Sequence, residues 1–396
     1  MRNIPIAKSY FDEKEVRRVL SVIRSGWIAQ GKMVEEFEKK VARYVGARYA
    51  VAVSSGTTAL HLALAISKIG AGDEVIVPSF SFIATANSVL YCGARPVFVD
   101  IDPKTYNIDP GQIIRFIKDR CRYDPKKKVL VNKATGLKVK AIMPVHQFGL
   151  PCDLDAISRI AKRYGLAVIE DAACALGASY KSKRIGGWGN TACFSFHPRK
   201  IMTTGEGGML VTDDMSCAQA ARILRNHGSG LSAMKKHAMR RGAPAEDYGV
   251  LGYNYRLTDL QAAIGIEQLS KLPKILSQRR RLAERYDKAF KAMADVWIPY
   301  VPSYAAANYQ SYVIKIAEGS SASRDGVMES LLENGVHARR GNIAIHLQSL
   351  YKKMKRDMEL PNTEEAASCT IALPIYYGMT GEEQDFVIDR VRHALR

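Results

Sequence analysis

Residues 50–70 read AVAVSSGTTALHLALAISKIG, and the change of pattern inside them decides the fold class. Residues 50–54 are a short apolar run of strand length, as a buried strand requires. Beyond the Ser-Ser-Gly, the Ala- and Leu-rich stretch has helix-forming composition and stops at Gly70. A strand that feeds a helix through a tight turn is the first half of a βαβ unit. The pattern recurs down the chain. Strands are expected at 74–78 (EVIVP), 95–99 (RPVFV), 140–144 (KAIMP), 166–170 (LAVIE) and 207–211 (GGMLV). Helices are expected at 82–91 and at 153–164, the latter capped by Asp153. Such alternation specifies an α/β fold with a mainly parallel sheet flanked by helices.

From Thr258 the character changes. TDLQAAIGIEQLSKLPKILSQRRRLAERYDKAF carries an apolar stripe through Leu260, Ile264 and Leu269, and a helix interrupted at Pro273 is expected there. Strand-like YVIKI at 312–316 and helical patterns at 326–334 and 382–394 follow. The expected division is a large domain over 1–257 and a smaller C-terminal α+β domain over 258–396.

Composition narrows the function classes. A hydrophobic fraction of 47% and a charged fraction of 24% over 396 residues suit a globular chain with a sizeable core. The N-terminus, MRNIPIAKSYFDEKEV, has no basic patch followed by an apolar run, and the apolar stretches at 75–78 and 141–145 are far too short to span a bilayer. The 7 cysteines are scattered without a CxxC pair, which argues against a disulfide framework or a structural metal site and fits the cytoplasm. Net charge is +19, from 58 Lys and Arg against 39 Asp and Glu. An anionic partner would be attracted to such a chain, although a solvated basic surface explains the excess equally. Basic residues concentrate at 115–140 (RFIKDRCRYDPKKKVLVNKATGLKVK) without the aromatic interleaving or spacing of a nucleic-acid reader. No nucleic-acid partner and no membrane are expected.

Three strand-end segments carry chemistry, because ligands of open α/β sheets bind beyond the carboxyl ends of the strands. In Ser54-Ser55-Gly56-Thr57-Thr58, free backbone N–H groups and the positive helix end would cradle a phosphate, with Gly56 allowing close approach; an ordinary N-cap turn has the same residues. In VIEDAA, Glu170 and Asp171 end an apolar strand, where a carboxylate needs a partner. A pyridinium nitrogen is such a partner, whereas Glu170 is also explained as an acidic helix start. In CFSFHPRK, Lys200 stands among aromatic and Pro residues and before the glycines of TTGEGG. A partly desolvated lysine loses its proton readily and becomes a nucleophile for a carbonyl. Ser195 offers a hydroxyl to the phosphate site.

Taken together, SSGTTALHLAL, VPSFSFIATANSVLYCGARPVFVDID, EDAACALGA, FSFHPRKIMTTGEGGM and LGYNYRLTDLQAAIGIEQL resemble the sugar aminotransferases of the DegT/DnrJ/EryC1/StrS family. The ordered likeness runs from IPIAKSYFDEKEV to ALPIYYGMTGEEQDFVIDRV, nearly the whole chain. It implies the fold-type I aminotransferase fold, pyridoxal 5'-phosphate as cofactor, and a homodimer with active sites at its interface. It also implies transfer of an amino group from L-glutamate to a keto group of a nucleotide-linked deoxysugar.

By the same resemblance, Lys200 would form the Schiff base and shuttle the proton, and Asp171 would pair with the pyridine nitrogen. Gly56, Thr57 and Ser195 would hold the phosphate, Phe82 would stack on the ring, and Asn254 would reach the partner subunit's phosphate group. Residue 174 is Cys where the family usually has Gln or His against the cofactor. Trp27 and Gln30 in SGWIAQG, and Arg339, Arg340 and His346 in GVHARRGNIAIHLQ, are candidate substrate contacts. The basic segments 115–140 and 228–247 are candidates to flank a nucleotide diphosphate. Relatives that dehydrate sugars carry His in place of the lysine, so Lys200 counts against that branch. A keto-cyclitol or aromatic acid product is the alternative reaction, and a non-catalytic binding protein is a third reading that rests only on the charge.

Overall fold

The computed structural model describes residues 3–230, 248–354 and 359–396. Residues 231–247 of the basic loop singled out above lie outside the described residues. Two helices open the chain, α1 (Glu13–Ser25) and α2 (Lys32–Val45). β1 (Tyr49–Val53) then feeds α3 (Gly56–Ile66) through the Ser-Ser turn, as the pattern predicts. Next come β2 (Asp73–Pro78), α4 (Ala84–Tyr91), β3 (Arg95–Val99), α5 (Pro110–Arg120) and β4 (Lys138–Ile142). α6 (Leu154–Tyr164), β5 (Ala167–Asp171), β6 (Thr191–Ser195), β7 (Gly208–Thr212) and α7 (Met215–Leu224) complete the large layer. Asp153 caps α6 by accepting from the amide of Ala156 at 3.1 Å.

The sheet order is β1–β7–β6–β5–β4–β2–β3. β3, β2, β4, β5 and β6 pair in parallel, whereas β7 runs antiparallel to both of its neighbours. The reason is local. A parallel return needs a crossover of a dozen or more residues, usually a helix. The link between β6 and β7 is spent on the loop that carries Lys200. The basic run at 115–140 becomes the end of α5, an antiparallel hairpin (Cys121–Asp124 with Val129–Asn132) and the start of β4.

Two expectations are corrected. The helix expected from 82 begins at Ala84, which leaves Phe82 outside it and 66% exposed. The helix expected to break at Pro273 is one continuous element, α8 (Asp259–Phe290), with the proline inside. A helix-interior proline costs about 3 kcal/mol. Leu269, Leu272, Ile275 and Leu276 are all buried around it, and each fully buried aliphatic returns about 1.5–3 kcal/mol. Packing therefore outweighs the lost hydrogen bond. Thr258 and Gln261 form a capping box at the start of α8.

α8 contributes to two cores. Ala262, Ile266 and Leu272 join Val34, Phe37 and Phe194 on one side of the large sheet. Leu282, Tyr286 and Phe290 join Tyr312, Ile314, Ile371 and Val387 around a four-stranded antiparallel sheet led by Tyr312–Ile316 and Thr370–Leu373. The C-terminal part also reaches back, since Ile343–Ala344 pairs with Phe80–Ser81 next to α4. Among the described residues, no helix is long and apolar enough to cross a membrane.

Candidate active site

The carboxyl ends of β5 and β6 lie side by side, with Asp171 in register with Cys193. Asp171 is 5% exposed. It accepts a hydrogen bond from the Thr85 hydroxyl at 2.7 Å and from the Ala173 amide at 3.2 Å. Thr85, on α4, is itself 2.8 Å from the Ser81 hydroxyl. Among the described residues no cation pairs with Asp171, so its charge is oriented but left without a counterion. Glu170 faces the other way, and its needs are met. His146 Nε2 lies 3.0 Å from its carboxylate and Asn190 donates at 2.7 Å. His146 Nδ1 accepts from the Cys152 amide, which places the ring proton on Nε2 for Glu170. Glu170 therefore serves the fold, but as a strand residue held by His146 and Asn190 and not as the helix start considered from the sequence.

The chain leaving Asp171 turns immediately and brings Cys174 to Lys200. Lys200 Nζ sits 3.1 Å from Cys174 Sγ, and both residues are half-buried. On the other flank, Ser55 caps α3 by accepting from the Thr58 amide at 3.1 Å, and Thr58 Oγ1 accepts from the Ser55 amide at 3.0 Å. The box leaves the amides of Gly56 and Thr57 outside the helix's own bonds, at its positive end. A Cβ on Gly56 would meet Ser195 Cβ at 2.8 Å and its Cα at 3.3 Å. A Cβ on Gly208 would sit 2.2 Å from the Ser55 carbonyl oxygen. Two glycines thus let the helix start close on Ser195 at the end of β6 and on the start of β7.

One face therefore gathers an amine, an uncompensated buried carboxylate and a glycine-lined helix N-terminus. These are the groups that pyridoxal phosphate requires: a carbonyl-seeking amine, an anion for the ring nitrogen and backbone donors for the phosphate. Gly56→Ala is expected to force backbone apart, an overpacking cost of about 1–3 kcal/mol. An absorbance titration with pyridoxal phosphate should show a dissociation constant raised about tenfold or more.

The remaining sequence candidates divide. Phe82 stands exposed just before α4, the helix whose Thr85 holds Asp171. Asn254 is exposed on a strap pinned beside β1, where the Ser54 amide donates to the Tyr255 carbonyl at 2.9 Å. Tyr253 and Tyr255 stack at 4.8 Å, and Asn254 lies between them in the alternating pattern of extended chain. Trp27 donates to the Gln30 carbonyl at 3.2 Å, in a loop whose next residue, Gly31, donates to Asp259 at 2.8 Å. Gln30 lines a cavity of about 510 Å³ with Glu35, Glu38, Arg222 and Arg225, which contains neither Lys200 nor Asp171.

Arg339 lies near Arg199 and Cys174; desolvation, then the like charge of Arg199, lower its pKa. Arg340 instead pairs with Asp325 at 3.2 Å. His346 is corrected. It is fully buried, with Nδ1 2.7 Å from the Ser79 hydroxyl and Nε2 3.0 Å from Glu364, so no ring atom is left for a substrate. Thr85, Gly208, Asn308 and Gln310 also shape the site and carried no chemical signal in the sequence. Their only trace was position, with Thr85 inside FIATANS and Gly208 at the end of TTGEGG.

Comparison with known proteins gives the family. The DegT/DnrJ/EryC1/StrS aminotransferase family model matches residues 9–392. The chain is 38% identical to GDP-perosamine synthase of Caulobacter vibrioides over 394 residues, 99% of this chain and 98% of that one. It is 35% identical to spore coat polysaccharide biosynthesis protein SpsC of Bacillus subtilis, covering 99% and 97%. Among solved structures, DesV of S. venezuelae in complex with a ketimine intermediate superposes with a TM-score of 0.86 at 30% identity over 100% of both chains. The family is dependent on pyridoxal phosphate. With its lysine, strand-end acid and glycine cradle assembled on one face, the chain belongs to the DegT/DnrJ/EryC1/StrS aminotransferase family.

Proposed function

We propose that the chain transfers an amino group from L-glutamate to the keto group of a nucleotide-linked deoxysugar, with pyridoxal phosphate bound at Lys200. The observation that carries this is the 3.1 Å contact of Lys200 Nζ with Cys174 Sγ, which brings the amine to the turn leaving Asp171. The relatives named above, one of them a GDP-sugar synthase, support a nucleotide-linked acceptor.

When bound, pyridoxal phosphate supplies an electron-poor ring that stabilises negative charge at the carbon losing or gaining a proton. The chain's own groups do the rest. Lys200 would hold the cofactor, and its Nζ would carry the proton. Cys174 receives the freed amine and keeps it at the site. Asp171, oriented by Thr85, holds a proton on the ring nitrogen. The Gly56 and Thr57 amides and Ser195 would bind the phosphate, and Phe82 would pack against the ring. Arg339 and Arg199 offer positive charge for the anionic groups of the substrates. The division into a cofactor-binding part, 1–257, and a smaller part, 258–396, belongs to the same proposal.

A homodimer completes the site in this reading, with Asn254 reaching the phosphate bound by its partner. The exposed apolar neighbours Tyr248, Val250 and Leu251 (86% exposed) give that strap a surface to bury. Asn254→Ala should weaken pyridoxal phosphate binding about fivefold, one hydrogen bond's worth, with the dimer mass by light scattering unchanged. Unaltered affinity would remove Asn254 from the phosphate site.

The purified protein tests the whole proposal. Glutamate should convert the visible absorbance of the lysine-bound cofactor to that of the amine form, and a nucleotide-linked keto-sugar should restore it. Restoration by a keto-inositol alone would replace the sugar with a cyclitol.

A further inference from the structure

The turn Asn308–Tyr309–Gln310 belongs to no motif that carries chemistry, yet it touches the chain leaving Asp171 and the loop that carries Lys200. Asn308 is fully buried and donates to the carbonyls of Cys174 at 2.8 Å and Leu176 at 2.9 Å. Gln310, 8% exposed, spends its amide on the residues either side of Lys200. Its Nε2 donates to the Arg199 carbonyl at 2.6 Å, and its Oε1 accepts from the Ile201 amide at 2.9 Å. A side-chain amide used this way imitates a neighbouring strand and clamps the backbone on both sides of one residue.

The turn is held in a demanding conformation. Tyr309 has φ 53°, in the left-handed region that bulky side chains rarely enter. The Gln310 amide donates to Asn308 Oδ1 at 2.8 Å, and Arg279 donates to the carbonyls of Tyr309 and Gln310 at 2.9 and 2.8 Å. Arg279 is buried, pairs with no carboxylate among the described residues, and burial pulls its pKa down to about 10. A Cβ on Gly149 would fall 1.7 Å from Asn308 Oδ1, so only glycine admits the turn at that point. Strained backbone and a buried unpaired cation both oppose folding and persist where the surroundings over-determine them.

We infer that Gln310 is a positioning residue for Lys200. Its amide fixes the direction in which the amine leaves the loop, while Asn308 in the same turn fixes Cys174 opposite. The inference rests on Lys200 being the cofactor-binding lysine, and it adds the device that aims it.

The test uses the full chain freed of cofactor, with Gln310→Ala and Gln310→Glu. Hydrogen exchange resolved by mass spectrometry should show the Ile201 amide exchanging about tenfold faster in Gln310→Ala. The rate at which Lys200 forms a borohydride-trappable adduct with pyridoxal phosphate, read on its peptide, should fall by about the same factor. Gln310→Glu adds a signature that a merely structural role would not give. A protonated carboxyl offers the same donor and acceptor as the amide, whereas an ionised one repels the Arg199 carbonyl. Its trapping rate relative to wild type should therefore decline as pH rises through the carboxyl's titration. If Gln310→Ala does not fold, the glutamate variant carries the comparison alone.

Unchanged exchange at Ile201 overturns the clamp. A Gln310→Glu trapping rate that keeps a fixed ratio to wild type at every pH overturns the positioning role. If glutamate leaves the wild-type spectrum unaltered, the transamination proposal falls, while the exchange and trapping measurements still judge Gln310.

Discussion

Lys200→Ala is expected to abolish both the visible absorbance of the lysine-bound cofactor and turnover. Two roles vanish together, the nucleophile that holds the cofactor and the base that moves the proton. The second alone is worth roughly 10²–10⁴ in rate. Lys200 is half-buried and its side chain makes the 3.1 Å contact with Cys174, so the alanine chain should fold and still bind pyridoxal phosphate through the glycine cradle. Lys200→Arg separates charge from chemistry, because a guanidinium keeps the positive charge yet cannot be deprotonated to attack a carbonyl. It should be as inactive as alanine. Turnover of Lys200→Ala at the wild-type rate would remove the lysine from the reaction.

Asp171→Asn has the second largest effect expected, about 10²–10³ in kcat, the scale on which a single preorganised electrostatic group acts. The substitution is close to isosteric. An Asn oxygen can still accept from Thr85, which now holds Asp171 at 2.7 Å, so melting temperature should change little. What disappears is the negative charge that keeps a proton on the ring nitrogen. Cofactor should still bind to Lys200 and show visible absorbance, with the glutamate half-reaction slowed in stopped-flow measurements. A variant that transaminates at the wild-type rate would show that the carboxylate serves the fold alone.

The large sheet was legible because it rests on local pattern. β3 falls on the expected 95–99, and the strand at Tyr312–Ile316 falls on the expected 312–316. The direction of β7 was not legible, since nothing within GGMLV records that the preceding residues form a loop rather than a crossover helix. Pro273 misled for a related reason. A proline's cost is written at one position, while the burial that offsets it is spread over four residues of the same helix and their distant partners.

Lys200, Asp171 and Gly56 could be found as candidates because each chemistry leaves a residue type at a strand end. The second tier could not. Thr85 is an ordinary threonine until Asp171 is beside it, and Gln310 lies 110 positions after Lys200, so only the folded chain brings them together. His346 shows the opposite error. A histidine in a segment that resembles a substrate-facing one proved to have both nitrogens occupied by Ser79 and Glu364.

The unbroken α8 has a consequence for how the chain can vary in length. Near its start, Asp259 accepts from the amides of Gly31 and Val34. Twenty residues on, about 30 Å along the axis, Arg279 grips the Tyr309–Gln310 turn. The helix advances about 100° per residue, so one residue inserted between these two points would swing Arg279 more than a quarter turn away from its carbonyls. The distance from residue 259 to residue 279 therefore behaves as a ruler with an angular phase. Even a whole inserted turn, which would restore the angle, would carry Arg279 about 5.4 Å along the axis and out of reach of both carbonyls.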